Sequence, residues 1–585
     1  MGTLTNLSFM SVRGLGSITA MGGEDIGQGN DPGRPADVHF GEYGLAGKPL
    51  KIKPMAKDSL CSSAPGVINL QKGNLGIMRV LFVIADLYFS EPLGAMVLSG
   101  VCRNAGHRTK LAILEKQDIA NLLGDFSPDV IAYSAMTPDE HLFIKADAAV
   151  RRWALHNNRR VLRIMGGAHP TYFPDVLRKM NLDAICAGDG ENAIVRVIDA
   201  FAQGKPLEGI PNIITPSQPN FIKEVVEDMD AVPYADRDLI YDAAPEMLDH
   251  GIRSFLTQKG CPYKCTYCFN HAYNRMFKGD GRKIMRRRSV DDLITEIKDV
   301  AQRYPVARFV RFADDVFVVN KEDEWLEEFA ERYPKEVGLP FYCLIRCNAL
   351  TENVARLLQK AGCKSIGMSI EAGSERVRND IMKRNMPDAM MKKAFELARQ
   401  YRINAWGNSI LAAPGTTFAD DMESFYFARS LNAACPTFSI FAPFPGTDLT
   451  KQAVKLGLLD ENFDFSAVSC WDYSVLRGYT QKERIMQTNL AYLGQLFCKL
   501  PNFAQPLLKV LLPLPITRLY KVIGALAMSY LLGTKVFPGA QPRGLLALLR
   551  AIKTALKYMT TINKERETGT SQMRTPAVGL ASPDY

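Results

Sequence analysis

Three cysteines, Cys261, Cys265 and Cys268, stand at a CxxxCxxC spacing in one short stretch of the chain. The stretch follows an apolar run from Ile252 to Leu256, which predicts a strand that delivers the cysteines to a loop. Cysteine thiolates are the usual ligands of iron–sulfur clusters. Three thiolates this close can hold three irons of a [4Fe–4S] cluster and leave the fourth iron open. An open iron can bind and activate a second molecule.

Two other interpretations of these cysteines stay open at this point. Zinc also binds thiolates, but a structural zinc site is closed and needs a fourth ligand, for which His271 is near in sequence. Cysteines are also often ordinary core residues. Cys343 and Cys347, a CxxxC pair on a predicted strand, are expected to be core residues of this kind. The spacing of the three-cysteine motif favours the cluster.

An aromatic residue, Tyr267, precedes the third cysteine, so the motif reads CxxxCxΦC with Φ aromatic. In this form it resembles the signature of radical S-adenosylmethionine (SAM) enzymes. The longer run GCPYKCTYCFNHAYNRMF, residues 260–277, is similar to the subgroup that carries an N-terminal cobalamin-binding domain. The resemblance implies that the open iron chelates the amino and carboxylate groups of SAM. It also implies that reductive cleavage of SAM gives a 5′-deoxyadenosyl radical and that Tyr267 lies near the adenine.

The totals are those of a globular protein with more than one domain. The chain has 585 residues, of which 47% are hydrophobic and 23% charged. It has twelve cysteines, and its first residues show no basic start followed by an apolar core, so we expect a reducing cytoplasm and no secretion signal. The net charge is +9, but the segment from Arg484 to Lys564 holds eleven Lys or Arg and no Asp or Glu, so the rest of the chain is net −2. This asymmetry predicts a surface partner.

Composition and periodicity divide the first half of the chain into consecutive segments. Residues 1–77 are rich in Gly, Pro, Ser and Asp and are expected to be a disordered leader, with Met78 as an alternative start. Residues 78–205 alternate strand and helix patterns, which predicts a doubly wound, Rossmann-like parallel sheet. Residues 206–250 contain several prolines and are expected to be a linker with little regular structure.

Ligands bind such sheets at the carboxyl ends of the strands, and the loops there resemble those of cobalamin-binding domains. The turn after Ser134 stands where that family has its SxL motif, and Gly166-Gly167 follows at the expected distance. The chain departs from the DxHxxG motif, because Tyr88 replaces the histidine that binds cobalt. His169 is then either another cobalt ligand or a residue that structures its loop, and a flavodoxin-like nucleotide domain is the alternative for the whole segment. The resemblance assigns cobalamin contacts to Asp86, Gly94, Ser134, Thr137, Gly166, Gly167, His169 and Gly188.

Residues 251–450 repeat a strand–helix pattern about six times, which predicts a partial (β/α)6 barrel with its active site at the carboxyl ends of the strands. Polar residues follow several of these predicted strands. Each also has an ordinary interpretation, namely helix capping for the aspartates, turn chemistry for Glu371 and a solvent-exposed helix position for Arg384. The resemblance assigns SAM contacts to Tyr267, Asp314, Asp315, Ser369, Glu371, Arg384 and Asn408.

Two basic features have alternative interpretations. The run Arg286–Arg288 predicts a solvated face, with a phosphate-bearing ligand as the alternative. Residues 451–564 are expected to be helical and basic, and their apolar runs are shorter than the roughly 18–20 residues that span a bilayer. They favour either a segment at an anionic membrane surface or a helical cap on the barrel, whereas no motif supports nucleic-acid binding. Residues 565–585 are expected to be a disordered tail.

Together these features predict an α/β protein. An N-terminal Rossmann-like cobalamin-binding domain precedes a partial (β/α)6 radical SAM barrel and a mainly helical C-terminal region. The resemblance implies a methyltransferase that uses the 5′-deoxyadenosyl radical and methylcobalamin at an unactivated centre. The alternatives are a cyclase or rearrangement enzyme with the same cofactors, and a cobalamin-binding sensor or scaffold. The expected partners are a small, lipid-like substrate and an electron donor such as flavodoxin or ferredoxin, in the cytoplasm or peripherally at the inner membrane surface.

Overall fold

Uninterrupted apolar runs of the sequence become the strands of two mainly parallel β-sheets. The computed structural model describes residues 76–87, 91–277, 279, 283–465 and 468–540. These residues belong to the same structural unit of the chain. The predictions of disorder for residues 1–77 and 565–585 fall, apart from residues 76 and 77, outside the described residues, and so does Tyr88.

The first sheet has six strands: β1 (Arg79–Ile84), β2 (Arg108–Ile113), β3 (Val130–Ser134), β4 (Leu162–Gly166), β5 (Ala184–Cys186) and β6 (Ile213–Ile214). Their order is β2-β1-β3-β4-β5-β6, with only β6 antiparallel to its neighbour. Val80 and Phe82 enter the core on one face, whereas Leu81 and Val83 enter the core on the other. Burial on both faces explains why the strands read as continuous apolar runs. The order reverses between β1 and β3, the point where such sheets bind ligands.

Six helices cover this sheet: α1 (Leu93–Asn104), α2 (Ile119–Phe126), α3 (Glu140–His156), α4 (Ala168–Tyr172), α5 (Val176–Lys179) and α6 (Glu191–Ala202). The predicted doubly wound sheet is therefore confirmed. The edge strand β2 carries a weaker sequence signal than the inner strands. Its first half, Arg108 to Lys110, is polar and only partly buried, so it lacks the apolar run that marks the inner strands.

Residues 206–250 are more ordered than the predicted linker. They contain β6 and a helix, α7 (Arg237–Ala243). Leu239 and Ile240 of this helix are buried in the core of the first sheet. The Arg237 side chain is fully buried and pairs with Glu91 at 2.8 Å. The segment therefore packs as part of the fold, because it carries apolar side chains at helical spacing that proline content alone does not reveal.

The second sheet is all parallel, and its strands follow one another in chain order. This arrangement is that of the predicted partial (β/α)6 barrel, which is confirmed. A separate antiparallel ribbon of two short strands follows the first barrel strand. The barrel strands are β7 (Ile252–Phe255), β10 (Phe309–Phe312), β11 (Phe341–Leu344), β12 (Cys363–Gly367), β13 (Asn404–Leu411) and β14 (Cys435–Ile440), and the ribbon is β8 (Gln258–Lys259) with β9 (Arg286–Arg287).

Side-chain caps start several of the barrel helices. Ser289 accepts a hydrogen bond from the Asp292 N–H, and Thr417 forms a reciprocal capping box with Asp420. Between the helices, Cys343 and Cys347 are buried in the barrel core, as predicted. The helices of this region are α8 (Phe269–Phe277), α9 (Val290–Arg303), α10 (Glu324–Glu336), α11 (Glu352–Ala361), α12 (Asp388–Gln400), α13 (Phe418–Ser430) and α14 (Asp448–Lys455).

The described part of the basic C-terminal region is a helical cap on the barrel, one of the two expected arrangements. Its helices are α15 (Gln481–Phe497), α16 (Gln505–Leu511) and α17 (Thr517–Leu531). Leu490 and Leu493 of α15 join the barrel core. Phe537 packs against Phe309 and Tyr342, with ring centroids 5.6 and 5.5 Å apart. Among the described residues, no helix combines the length and apolar content needed to cross a bilayer.

Candidate active site

The loop that carries the three cysteines is fixed to the barrel. It leaves β8 at Gly260, which has a φ of +96°, and a Cβ there would collide with the Ile284 carbonyl, so only glycine fits. Thr266 ties the loop to the barrel, because its N–H and hydroxyl donate to the carbonyls of Met382 and Ile381 at 3.2 and 2.8 Å. A tight turn before the motif and two hydrogen bonds made within it thus hold the cysteines in place.

All three cysteines line one cavity. Residues at or just past the carboxyl ends of β10, β11 and β12 complete its lining, which is where an active site of such a barrel lies. The structure therefore brings together the predicted cluster ligands and most of the predicted SAM-contacting residues. The latter that line the cavity are Tyr267, Asp315, Ser369, Glu371 and Arg384.

Tyr267, Glu371 and Arg384 form a hydrogen-bonded group on the cavity wall. The Tyr267 hydroxyl donates to a Glu371 oxygen at 2.7 Å and accepts from Arg384 at 2.6 Å. Burial raises the pKa of Tyr267 well above its ordinary value, so the phenol keeps the proton that it donates. Glu371 has a φ of +67°, which is uncommon for a residue other than glycine and typical of functional sites.

Arg384 keeps hydrogen-bonding capacity in this group. Of the five N–H donors of a guanidinium, three are used within the described residues, on Tyr267, on Glu371 and on the Ser369 carbonyl. Its Nε is buried and has no partner among those residues. A buried N–H without an acceptor is costly, so an oxygen of a ligand, such as a carboxylate, fits here. Arg384 is 5% exposed, which rules out the solvated helix position.

Two of the predicted SAM-contacting residues are not in the cavity lining. The carboxylate of Asp314 accepts hydrogen bonds from the N–H and hydroxyl of Thr257 and from the Gln258 N–H, at 2.7 to 3.1 Å. These bonds fix the strand end that leads into the cysteine loop, and burial raises the pKa of Asp314 to about 6. The Asn408 side chain accepts from Thr437 of the next strand at 3.0 Å. Proximity to a strand end could not show where either side chain points.

Arg346, which the sequence analysis did not single out, lies against the predicted cluster ligands. Its Nη1 donates to Cys265 Sγ at 3.0 Å, and its Nη2 donates to the Arg384 carbonyl at 2.7 Å. The guanidinium also lies 3.8 Å from the centroid of the Tyr263 ring, a cation–π contact. Arg346 stands two residues past the end of β11, so the rule that barrel sites lie at the carboxyl ends of strands could have found it.

The donor set suits an iron–sulfur cluster better than zinc. Among the described residues, no three His, Cys, Asp or Glu side chains are close enough to hold a single metal ion. In a cluster each thiolate binds a different iron, so cluster ligands lie farther apart than the ligands of one ion. The candidate fourth zinc ligand, His271, lies 3.4 Å from Asp448 instead. Burial raises the pKa of the Cys261 thiol to about 12 and that of Cys268 as well, and bound iron would replace these protons.

Small residues leave room at the carboxyl edge of the first sheet. Ser134 and Gly166 end β3 and β4, beside the point where the strand order reverses. Gly167 has a φ of +102°, and a Cβ there would lie 2.7 Å from the Ala135 carbonyl oxygen, so the neighbouring loops need glycine to pack this closely. Gly94, near the start of α1, faces open space. Gly94 therefore leaves room for a bulky cofactor at this edge, whereas Gly167 is required by the packing of the neighbouring loops.

Two other residues predicted to contact cobalamin interact with protein groups. The space beside Gly188 is filled by the Phe277 ring of α8, so this glycine lets a helix of the second half of the chain pack on the first sheet. Asp86 accepts a hydrogen bond from the N–H of Leu87 at 2.7 Å. Gly188 is therefore explained by packing between the two sheets, which could not be foreseen from its position after β5.

His169 structures its loop and keeps one ring nitrogen available. The residue is 2% exposed, its Nδ1 lies 3.4 Å from the Thr137 hydroxyl, and its ring stacks on Phe173 at 5.0 Å. Burial lowers the pKa of His169 to about 4, so the imidazole is neutral. Its Nε2 has no hydrogen-bond partner within the described residues. A buried nitrogen of this kind fits a ligand group or an ordered water.

Aromatic contacts join the carboxyl edge of the first sheet to the cysteine loop. Tyr172, at the end of α4, donates a hydrogen bond to the carbonyl of Phe269 at 3.0 Å, and the two rings lie 4.6 Å apart. Phe269 directly follows Cys268 and also packs on Phe444, with centroids 4.7 Å apart. Phe269 and Phe444 line the cavity. The two predicted cofactor sites are therefore neighbours.

Arg286 and Arg288 are buried and Arg287 is only partly exposed, so the predicted solvated face is wrong. Asp189, which follows β5, pairs with one of the arginines and with Lys259 of β8, so the run helps to join the two sheets. Because each guanidinium already pairs with a carboxylate, the run offers little to a phosphate. The pairs are Arg286 with Asp189, Arg287 with Asp323, and Arg288 with Asp292 and Glu296.

Comparison with protein families finds two matches along the chain. The B12 binding domain model matches residues 81–198, and the Radical SAM superfamily model matches residues 255–426. The first match covers the sheet with the glycine-lined edge, and the second covers the barrel with the three cysteines. These domains use cobalamin and, with SAM, a [4Fe–4S] cluster, and the donor sets described above fit all three.

Individual relatives align with about two thirds of the chain. An uncharacterized methyltransferase of Pyrococcus horikoshii is 26% identical over 386 residues, which are 63% of this chain and 79% of that protein. The anaerobic magnesium-protoporphyrin IX monomethyl ester cyclase of Rubrivivax gelatinosus is 22% identical over 423 residues, which are 66% of this chain and 72% of that protein.

A solved structure shows the same fold. The radical SAM methyltransferase TsrM of Kitasatospora setae, with cobalamin and a [4Fe–4S] cluster bound, superimposes with a TM-score of 0.59 at 14% identity. The superposition covers 84% of this chain and 100% of that one. The chain therefore contains a B12-binding domain followed by a Radical SAM domain that carries the three cysteines, which is the domain arrangement of cobalamin-dependent radical SAM enzymes.

Proposed function

We propose that this enzyme is a methyltransferase that acts on an unactivated centre of a small molecule. The observation that carries the proposal is the contact between the two halves of the site, in which Tyr172 packs on Phe269 beside Cys268. A substrate in the cavity would lie beside the cysteine loop and near the carboxyl edge of the B12-binding sheet. The relatives that are named methyltransferases support this reaction type.

Each group of residues is proposed to serve one cofactor. Cys261, Cys265 and Cys268 would hold the cluster. Tyr267, Asp315, Ser369, Glu371 and Arg384 would bind SAM, with the unpaired Nε of Arg384 directed to its carboxylate. Asp314 and Asn408 are reassigned to supporting the loop and the strands. Asp86, Gly94, Ser134, Thr137, Gly166, Gly167 and His169 would surround cobalamin, with Gly188 as a packing residue.

The residues of the chain hold and shield the reacting groups. When bound, the cluster and SAM supply a 5′-deoxyadenosyl radical, and cobalamin supplies the methyl group. Arg384 neutralises and orients a carboxylate, while the bonds of Glu371 to Tyr267 and Arg384 keep that guanidinium in place. Phe269 and Phe444 give the cavity an apolar wall that limits access of water to a reactive radical.

The products of SAM test the proposal. Protein reconstituted anaerobically with iron, sulfide and cobalamin is mixed with SAM and a strong reductant, and the nucleoside products are quantified by mass spectrometry. A methyltransferase is expected to form both 5′-deoxyadenosine and S-adenosylhomocysteine, and its product gains one CH₂. In a matched sample without cobalamin, S-adenosylhomocysteine should disappear. Its persistence there would contradict methyl transfer through cobalamin.

The relationship to a cyclase supports a second candidate function, a cyclisation or rearrangement without methyl transfer. In that case 5′-deoxyadenosine forms without S-adenosylhomocysteine, and the product gains no CH₂. A cobalamin-binding sensor or scaffold would give neither product while retaining bound cobalamin. The complete cysteine motif in the cavity argues against this last function, because a scaffold does not need an open iron site.

The substrate and partners are proposed from the chemistry of the surface and the site. The aromatic rings of Phe269 and Phe444 in the cavity lining support an apolar, lipid-like small molecule. An external electron donor such as flavodoxin or ferredoxin would reduce the cluster, because the described fold shows no second cysteine-rich motif of this kind. The basic and apolar C-terminal helices support a cytoplasmic protein that associates peripherally with a membrane.

Arg346 is expected to tune the cluster. Its hydrogen bond to Cys265 Sγ places positive charge beside the ligand and stabilises the reduced, more negative cluster. Arg346→Leu should therefore lower the midpoint potential, by about 60 mV for each ~1.4 kcal/mol of lost stabilisation in a one-electron couple. A redox titration followed by electron paramagnetic resonance measures this shift. Arg346→Lys keeps the charge and should shift the potential less; equal potentials in all three proteins with full iron content would contradict the assignment.

A further inference from the structure

Exposed apolar side chains concentrate in the C-terminal helices. Among the described residues, seventeen large apolar side chains are exposed, and eight of them lie between residues 496 and 530. Phe503 is 85% exposed and Val510 is 62% exposed. Large apolar patches on a protein surface usually mark a binding site. The other exposed apolar side chains are spread singly over the remaining described residues.

The exposed side chains share one side of α16 and the turns around it. Phe503, Leu507, Val510 and Leu514 recur every three or four residues and are all exposed, whereas Leu508, between them, is buried. This spacing places the four on a common stripe opposite the side that packs on the barrel. Ile516 and Leu519, at the start of α17, extend the apolar surface and are 43% and 54% exposed. We call these six residues the apolar face.

The charged side chains on the helices that carry the apolar face are all basic, and one of them, Lys521 of α17, pairs with Asp472 at 2.6 Å. Lys499, Lys509, Arg518 and Lys535 are exposed on the same helices and the turns next to them. From Arg484 to Lys564 the sequence contains no acidic residue. The surface is thus positive around an apolar stripe, which predicts a partner that is anionic at its surface and apolar just beneath it.

We propose that the apolar face docks on an anionic lipid bilayer, lying in the interface with its stripe among the lipid headgroups and chains. A bilayer surface combines the two properties that the face requires, since anionic headgroups attract the cations and the acyl region receives the apolar side chains. A nucleic acid would satisfy the cations but would leave six apolar side chains in water. The face is separate from the cavity, so this proposal goes beyond the catalytic one.

Vesicle flotation with the full chain tests the proposal. The protein is floated with vesicles of phosphatidylcholine alone or of phosphatidylcholine with phosphatidylglycerol. Four exposed cations predict about a thousand-fold stronger binding to the anionic vesicles at low salt, and this preference should shrink as salt rises. Equal binding to both vesicles, or no binding to either, would overturn the proposal. This experiment uses only the wild-type protein.

A matched pair of variants locates the surface. Phe503→Ser combined with Val510→Ser removes two exposed side chains from the stripe, and about ten-fold weaker vesicle binding is expected for each. Leu155→Ser removes an equally exposed apolar side chain from α3, also 85% exposed, and should bind like the wild type. Unchanged binding of the double variant would reject this face. Loss of a wild-type dimer in the double variant, without vesicle binding by either protein, would assign the face to a second copy of the chain instead.

Discussion

Cys265→Ala is expected to abolish cluster assembly and with it all formation of 5′-deoxyadenosine from SAM. Cys265 lies between the other two cysteines of the motif, lines the same cavity and accepts a hydrogen bond from Arg346 at 3.0 Å. Two remaining thiolates cannot hold a [4Fe–4S] cluster with a single open iron, because three irons need protein ligands. Iron and sulfide analysis after anaerobic reconstitution, together with the visible absorbance of the cluster, measures the loss directly.

A second cysteine serves as the control for this prediction. Cys498 follows α15, is partly exposed and does not line the cavity. Cys498→Ala should retain the iron content, the absorbance and the cleavage of SAM of the wild type. A cluster that survives Cys265→Ala, or one that is lost equally in Cys498→Ala, would show that the ligands lie elsewhere. Bound cobalamin should be similar in both variants, since the B12-binding sheet does not use either residue.

Removal of the Glu91 side chain is expected to destabilise the fold more than removal of any surface ion pair. Glu91, in the loop after β1, accepts hydrogen bonds from Arg237 at 2.8 Å, from Tyr241 at 2.7 Å and from the Ser254 N–H at 2.6 Å. The side chains of Glu91 and Arg237 are 2% and 0% exposed. Glu91→Ala leaves the Arg237 charge buried without this carboxylate, which costs about 3–5 kcal/mol in free energy of unfolding. Urea denaturation followed by circular dichroism measures the change.

The matched control removes an arginine that also has three ionic partners but lies at the surface. Arg332 pairs with Asp291, Glu328 and Glu336 on the surface of α10, and its side chain is 31% exposed. Arg332→Ala should cost about 1 kcal/mol or less, because water screens exposed pairs. A similar loss in both variants would mean that burial of the Glu91 pair adds nothing. Glu91→Gln should lie between Glu91→Ala and the wild type, since it keeps an acceptor oxygen but loses the charge.

Glu91 also has a bearing on function. Its three partners come from the linker helix α7 and from Ser254 of the first barrel strand, whereas Glu91 itself belongs to the loop after β1. The same carboxylate therefore holds together the two halves of the chain, which also meet at the cysteine loop through Tyr172 and Phe269. We expect Glu91→Ala to reduce the formation of S-adenosylhomocysteine more than that of 5′-deoxyadenosine. Only the formation of S-adenosylhomocysteine requires the B12-binding half and the barrel half to be correctly placed relative to each other.

The sequence by itself determined the cofactors and the two sheets. The CxxxCxΦC motif is local, so its chemistry follows from spacing that does not depend on the rest of the fold. Most of the buried parallel strands are continuous apolar runs, and β7 (Ile252–Phe255) matches the strand predicted from the run Ile252 to Leu256. Local patterns of this kind are sufficient wherever a single segment carries the signal. Both domains could therefore be identified before any contact between them was known.

Only the tertiary structure decided the direction of each side chain at the strand ends. Asp314 and Asp315 are adjacent and are both aspartates. Asp315 lines the cavity, whereas Asp314 accepts a hydrogen bond from Thr257, just before the cysteine loop. Arg346 meets Cys265 across 81 residues of sequence, and Arg286 is buried because Asp189 faces it from the other sheet. Such contacts join segments that are distant in sequence, so no spacing or composition encodes them. The physical reason is that a buried polar side chain needs a hydrogen-bonding or charged partner, and only tertiary packing brings that partner to it.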